Sequence, residues 1–163
     1  MTAMLFRALG SVDQLALAGW FEGSFTVVED SAYATEVAYL DTFDWRLFNR
    51  SSVLLLSGRT LTLASLDEDG EDIQSAVDQR PVFAWDLPPG RLRKLAESAL
   101  EMRALLVRAQ VHTLTTTYRA LNDDDKTVAR LAVDVVSLAA DDDAAGIFIR
   151  LLPVRGYVRD LTE

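Results

Sequence analysis

Tyr39-Leu-Asp-Thr-Phe-Asp-Trp-Arg-Leu47 is the stretch on which the fold of this chain turns. Apolar and β-branched residues lead into it from Ala34, which predicts a strand ending at Asp41-Thr42. A turn follows, and Trp45 and Leu47 are expected to drop back toward a core as anchors.

The segments on either side continue the β reading. Upstream, Met4-Leu5-Phe6 fits a short strand, 12–20 is apolar enough for a helix of poor period, and Phe25-Thr-Val-Val28 is β-branched. Downstream, Val53-Leu-Leu-Leu56 and Leu61-Thr-Leu-Ala64 flank Ser57-Gly58, a turn pair. The acidic Asp67-Glu-Asp-Gly70 marks a further turn. A strand is expected over 81–85, closed by Pro88-Pro89-Gly90. The clearest helix covers 91–102, where Leu92, Leu95, Ala96 and Ala99 or Leu100 recur at helical spacing. Three long strands over 105–121, 127–138 and 147–154 follow, joined by Asn122-Asp-Asp-Asp-Lys126 and Asp141-Asp-Asp-Ala-Ala-Gly146, whose composition suits hairpin loops. The class these elements define is α+β, mainly antiparallel β. A curved sheet or a closed β tunnel or barrel, with one or two flanking helices, satisfies it.

Composition narrows the functional classes. At 163 residues the chain is expected to form a single domain over 1–163, with a core large enough to need no staple. It has no cysteine, which excludes disulfides, thiol nucleophiles and thiolate metal sites. No apolar run reaches membrane-spanning length, and the N-terminus lacks a signal-peptide pattern, so a cytoplasmic location and no membrane partner are expected. The net charge of −9 opposes nucleic acid, which is not expected as a partner.

Few residues carry an obvious chemistry. The aspartate runs break the spacing of a calcium loop and read as solvated turns. His112 is the single histidine. Arg108, Gln110 and His112 alternate on one strand face, where they either line a polar cavity or face solvent, the second being the commoner outcome for a half-buried sheet. Phosphate-cradling glycine loops and nucleophile motifs are absent from the sequence. Arg91, Arg93 and Lys94 open the clearest helix at its electrostatically unfavourable end, a feature that points only weakly to a contact site.

Three stretches together carry a resemblance. Tyr39-Leu-Asp-Thr-Phe-Asp-Trp-Arg-Leu47 is similar to Y-x-D-T-x-D-x-x-L, and Leu61-Thr-Leu-Ala64 stands in the place of L-T-L-K. Tyr118-Arg-Ala-Leu, Asp123-Asp-Asp-Lys and Val128-Ala-Arg-Leu-Ala-Val-Asp134 follow the same pattern's hairpin. The chain thus resembles a CYTH domain, of the triphosphate tunnel metalloenzyme family, in the form found N-terminal to CHAD domains. Pro153-Val-Arg-Gly-Tyr157 resembles the exit toward such a CHAD domain, which makes that domain, or another protein, the implied partner and 1–163 the N-terminal part of a longer CYTH-CHAD protein.

The resemblance implies an antiparallel β tunnel in which arginines and lysines hold a triphosphate and glutamates hold Mg2+ or Mn2+. Many of those charges are missing here. The first strand, near Met1 to Leu5, has none of E-x-E-x-K, and the basic pair of L-R-x-R is matched by Leu54-Leu-Leu-Ser57. The lysine of L-T-L-K is Ala64, and Thr115-Thr-Thr117 stands where an arginine is expected. Arg108 and Arg150 remain as phosphate-binding candidates and Asp134 as a metal-ligand candidate; no catalytic residue is assigned. Removing one interaction that stabilises transition-state charge costs roughly 100- to 1,000-fold in rate, so the combined losses imply little turnover.

The expected function is therefore a non-catalytic scaffold or partner-binding domain with no cofactor. One alternative is a Mg2+- or Mn2+-dependent triphosphate or polyphosphate hydrolase or binder with an atypical tunnel. Another is a small-molecule binding barrel. Self-association into a homo-oligomer is open.

Overall fold

A computed structural model describes residues 4–21, 24–67, 70–139 and 144–154. The expected loop at Asp141-Asp-Asp143, Glu68-Asp69 of the other acidic stretch, and the tail from Arg155, with its likeness to a CHAD-bound exit, lie outside the described residues.

The described chain is α+β and mainly antiparallel. Its strands are β1 (Met4–Ala8), β2 (Thr26–Asp41), β3 (Ser52–Ser57), β4 (Thr60–Ser65), β5 (Ile73–Ala76), β6 (Leu106–Leu121), β7 (Thr127–Leu138) and β8 (Ala144–Pro153). Its helices are α1 (Gln14–Trp20) and α2 (Arg91–Leu100). The eight strands are hydrogen-bonded in the order β1-β8-β7-β6-β2-β3-β4-β5. Of the two expected forms the open sheet is present: β1 and β5 end the order, and no ladder joins them among the described residues. Residue contacts divide the chain into a first unit, Met1–Thr35 with His112–Glu163, and a second, Glu36–Val111.

In the first unit β8 is held between β1 and β7. Phe6 faces Ile149 and Leu5 faces Arg150 on one side, while Leu131 faces Leu151 and Ala132 faces Arg150 on the other. Side chains alternate across a pleated sheet, so one face carries Leu131, Val133 and Ile149 into a core with Leu17, Tyr118 and Ala120, while Phe6, beside Ile149 on the edge strand, stays exposed. Helix α1 supplies Leu17 to that core and is started by Asp13, whose carboxylate accepts the Ala16 amide at 2.8 Å. Leu17 is the helix's one buried residue, which is why its sequence period reads poorly.

The second unit is built on the β3–β4 hairpin. Gly58 turns it at φ 56°, a left-handed conformation open to glycine without a Cβ penalty. Leu54 pairs with Leu63 and Leu56 with Leu61, and this face joins Leu40 in the core. Helix α2 covers the same core with Leu92, Ala96, Ala99 and Leu100, as its spacing predicts, whereas Leu95, expected in the same stripe, is exposed. Val53, paired with Ala64, and Leu55, paired with Thr62 and Tyr39, occupy the opposite face.

The local reading misses at two places for identifiable reasons. The stretch 81–85 is not a strand: the Asp86 carboxylate accepts the amides of Val82 at 3.0 Å and Phe83 at 2.8 Å and winds Ala84–Asp86 into a 3-10 turn. Strand β5 went unread because Ile73-Gln-Ser-Ala76 has a single large apolar residue; its pairing with β4 forms it.

Candidate functional site

The motif at 39–47 is organised by a buried carboxylate. Asp41, at the end of β2, accepts the amides of Thr42 at 2.7 Å and Leu47 at 3.0 Å through Oδ1, and that of Phe48 at 3.0 Å through Oδ2. The Thr42 hydroxyl accepts the Arg46 amide at 3.1 Å. Buried donors left unpaired are costly, so these bonds dictate the path of the loop. The Asp-Thr pair of the motif thereby shapes the backbone of this loop.

Leu47 drops into the core as expected. Trp45 does not: it stands at the surface with φ 57°, its amide donating to the Thr42 carbonyl at 3.2 Å. A tryptophan in the left-handed region carries backbone strain, and the wrapped Asp41 loop holds it there. The Arg108 guanidinium lies over its indole, 4.1 Å from the ring centroid. Arg108 is thus in the second unit as a cation stacked on an aromatic face. With Tyr39, Val53 and Phe48 it lines a small recess of about 50 Å3.

Asp134 and Arg150 lie in the first unit and are brought together, onto one another. Ala132 pairs with Arg150, so Asp134 is diagonal to it across β7 and β8. Arg150 Nε donates to Asp134 Oδ2 at 2.7 Å and Nη2 to Oδ1 at 2.9 Å, while the Thr115 hydroxyl donates to Oδ1 at 2.7 Å. Burial acts to raise the Asp134 pKa, but the bonds from Arg150 and Thr115 outweigh it and the carboxyl is held below the usual range. Arg150 is shifted upward, first by its bond to Asp134, against burial, with Tyr33 assisting.

This arrangement does not fit a divalent cation. Both Asp134 oxygens serve the guanidinium, whose charge repels a metal, and no cluster of three or more His, Asp or Glu side chains occurs among the described residues. Elsewhere in the first unit Ser31 and Thr117 share a bond at 2.8 Å, and Arg119 Nε lies 3.2 Å from Asp30 Oδ1. Gln110 donates to Glu36 in the second unit, and His112 is exposed in the first.

The positions where the resemblance places tunnel cations in β3 and β4 share one face. Leu55, Ser57 and Ala64 all lie opposite the Leu54–Leu63 core face, and all are uncharged. The first unit presents a different feature, an apolar groove of about 470 Å3 lined by Phe6, Leu9, Val12, Trp20, Phe21 and Leu151, among others.

Comparison with protein-family models and with curated proteins finds no match for this sequence.

Proposed function

We propose that the chain is a non-catalytic domain on a CYTH-like scaffold, whose role is to bind a partner. The observation that carries this reading is the shared face of Leu55, Ser57 and Ala64. Polyphosphate holds several negative charges and needs convergent cations, while these three positions supply none and Arg108 beside Tyr39 and Val53 is a single charge. The closed Asp134–Arg150 pair supports the same reading, because neither member is left to serve a metal or a phosphate without first breaking the other's bonds. Calorimetric titration of tripolyphosphate with Mg2+ into the folded protein tests it. No heat is expected at millimolar ligand; saturable micromolar binding that weakens with salt would overturn it.

The groove beneath β1 favours a second reading, a site for a neutral apolar ligand. Its volume of about 470 Å3 falls within the range of small-molecule pockets, and its lining is largely hydrocarbon. A saturable rise in fluorescence of an apolar dye, lost in Trp20→Glu, would support this reading over partner binding alone.

A further inference from the structure

The loop at 42–50 and the segment 101–108 are fastened side by side. Arg46 Nη1 meets Glu101 at 2.9 Å, Arg103 Nε approaches Asp44 at 3.8 Å, and the Arg103 guanidinium lies 5.0 Å from the Phe43 ring centroid. Together with the Arg108–Trp45 stack, these contacts gather exposed apolar side chains into one surface. Phe43, Trp45, Phe48 and Met102 are 59, 43, 56 and 83% exposed, values that mark a patch with no use in the core. Trp45 and Phe48 meet edge to face, with centroids 6.2 Å apart.

The charge here differs from that of the whole molecule. Residues 41–50 and 101–108 hold four arginines against three acidic residues, in a chain of net charge −9. Of those carboxylates Asp41 is consumed by backbone amides, and Asp44 and Glu101 are engaged by Arg46. Arg108 has no carboxylate within ion-pair distance among the described residues. It is an exposed cation pre-positioned on a tryptophan, the pair of residue types that dominates binding energy at interfaces.

From this geometry we infer that the Trp45–Arg108 surface docks an acidic amphipathic protein segment, its apolar side chains seated on Phe43, Trp45 and Phe48 and a carboxylate on Arg108. The inference rests on the partner-binding reading above and names its site. Elsewhere the acidic protein repels such a segment, so the local arginines fix where it lands. Nucleic acid also offers rings and negative charge, but the overall charge opposes a polyanion far more than a peptide carrying a few carboxylates.

The probe is a short synthetic peptide alternating Leu or Phe with Glu, compared with its Lys-for-Glu counterpart by fluorescence anisotropy. The acidic peptide is expected to bind saturably and at least about tenfold more tightly than the basic one. Its amide-shift changes should centre on 43–49 and 101–108. Arg108→Glu and Phe48→Ser, each checked for folding by circular dichroism, should weaken binding about tenfold or more.

Absence of binding by the acidic peptide overturns the inference, as does equal binding of the basic peptide or binding that survives both variants. A second copy seated on the patch, seen as a dimer by sedimentation and abolished by Phe48→Ser, overturns it in favour of self-association. Equally tight binding of a single-stranded oligonucleotide to the same amides also overturns it. Tripolyphosphate binding that persists in Arg108→Glu would sink the non-catalytic reading while leaving the docking surface intact, so the two failures are separable.

Discussion

Arg150 clamps Asp134 at two points across β8 and β7, Nε to Oδ2 at 2.7 Å and Nη2 to Oδ1 at 2.9 Å. The carboxylate side chain is 13% exposed and the guanidinium 42%, so the pair sits between a surface bridge and a buried one. In the sequence these residues read as separate candidates for a metal and a phosphate. In the structure each bonds the other, a contact that links β8 to β7.

Asp134→Asn is accordingly expected to destabilise the protein by about 1–2 kcal/mol, above the exposed-pair range and below that of a fully buried pair. Urea unfolding at pH 7 measures it, and a double-mutant cycle with Arg150→Met should show positive coupling. Additive effects would mean that the contact contributes nothing of its own.

The same pair sets a pH dependence. The folded Asp134 pKa lies below its ordinary value of 3.8, so the unfolded state takes up the proton first as pH falls. The stabilisation is full above the unfolded value and disappears as pH drops through the folded one. The stability gap between the native protein and Asp134→Asn should therefore hold from pH 7 to about 5 and narrow below about 4. A gap that widens in acid would contradict the assigned direction.

Asp41→Ala should cost about 3 kcal/mol or more, since three backbone amides lose a charged acceptor at a buried loop. The loop that holds Trp45 at φ 57° would relax with it, changing the indole's environment. Asp41→Asn, which retains one acceptor oxygen, should be milder. Chemical unfolding and tryptophan fluorescence read both effects.

The two faces of β3 should respond oppositely. Leu54→Ala empties a position only 1% exposed and is expected to cost about 2–5 kcal/mol. Leu55→Arg with Ala64→Lys changes the outer face, where long basic side chains can reach water, and should leave the protein folded. If that face corresponds to the phosphate-holding side of a tunnel, the double variant should acquire salt-sensitive tripolyphosphate binding. No gain, in a folded variant, would separate this face from any such tunnel.

Much of the β framework was legible because it rests on local periodicity and turn chemistry. The strand over 127–138 was read at the bounds it has, as Thr127–Leu138, since alternating apolar residues sit between two polar loops. Helix α2 was legible from a stripe that one covered core face requires. Residues 81–85 were misread because a single side chain, Asp86, overrides the strand preference of Val82 and Phe83. The candidate site was legible only in part. Arg108, Asp134 and Arg150 were singled out, but residue type says nothing about which charge a side chain will find.

Sequence alone determined the antiparallel α+β class, the hairpin at Gly58, the amphipathic helix and an uncharged pair of positions at Leu55 and Ala64, because each follows from properties of neighbouring residues along the chain. Tertiary structure decided that Asp134 belongs to Arg150, that Asp41 belongs to backbone amides, and that Trp45 stays outside beneath Arg108. Those pairings join residues brought near by strand register and loop closure. Electrostatics and hydrogen bonding act over a few ångströms of space, and separation along the chain does not encode that distance.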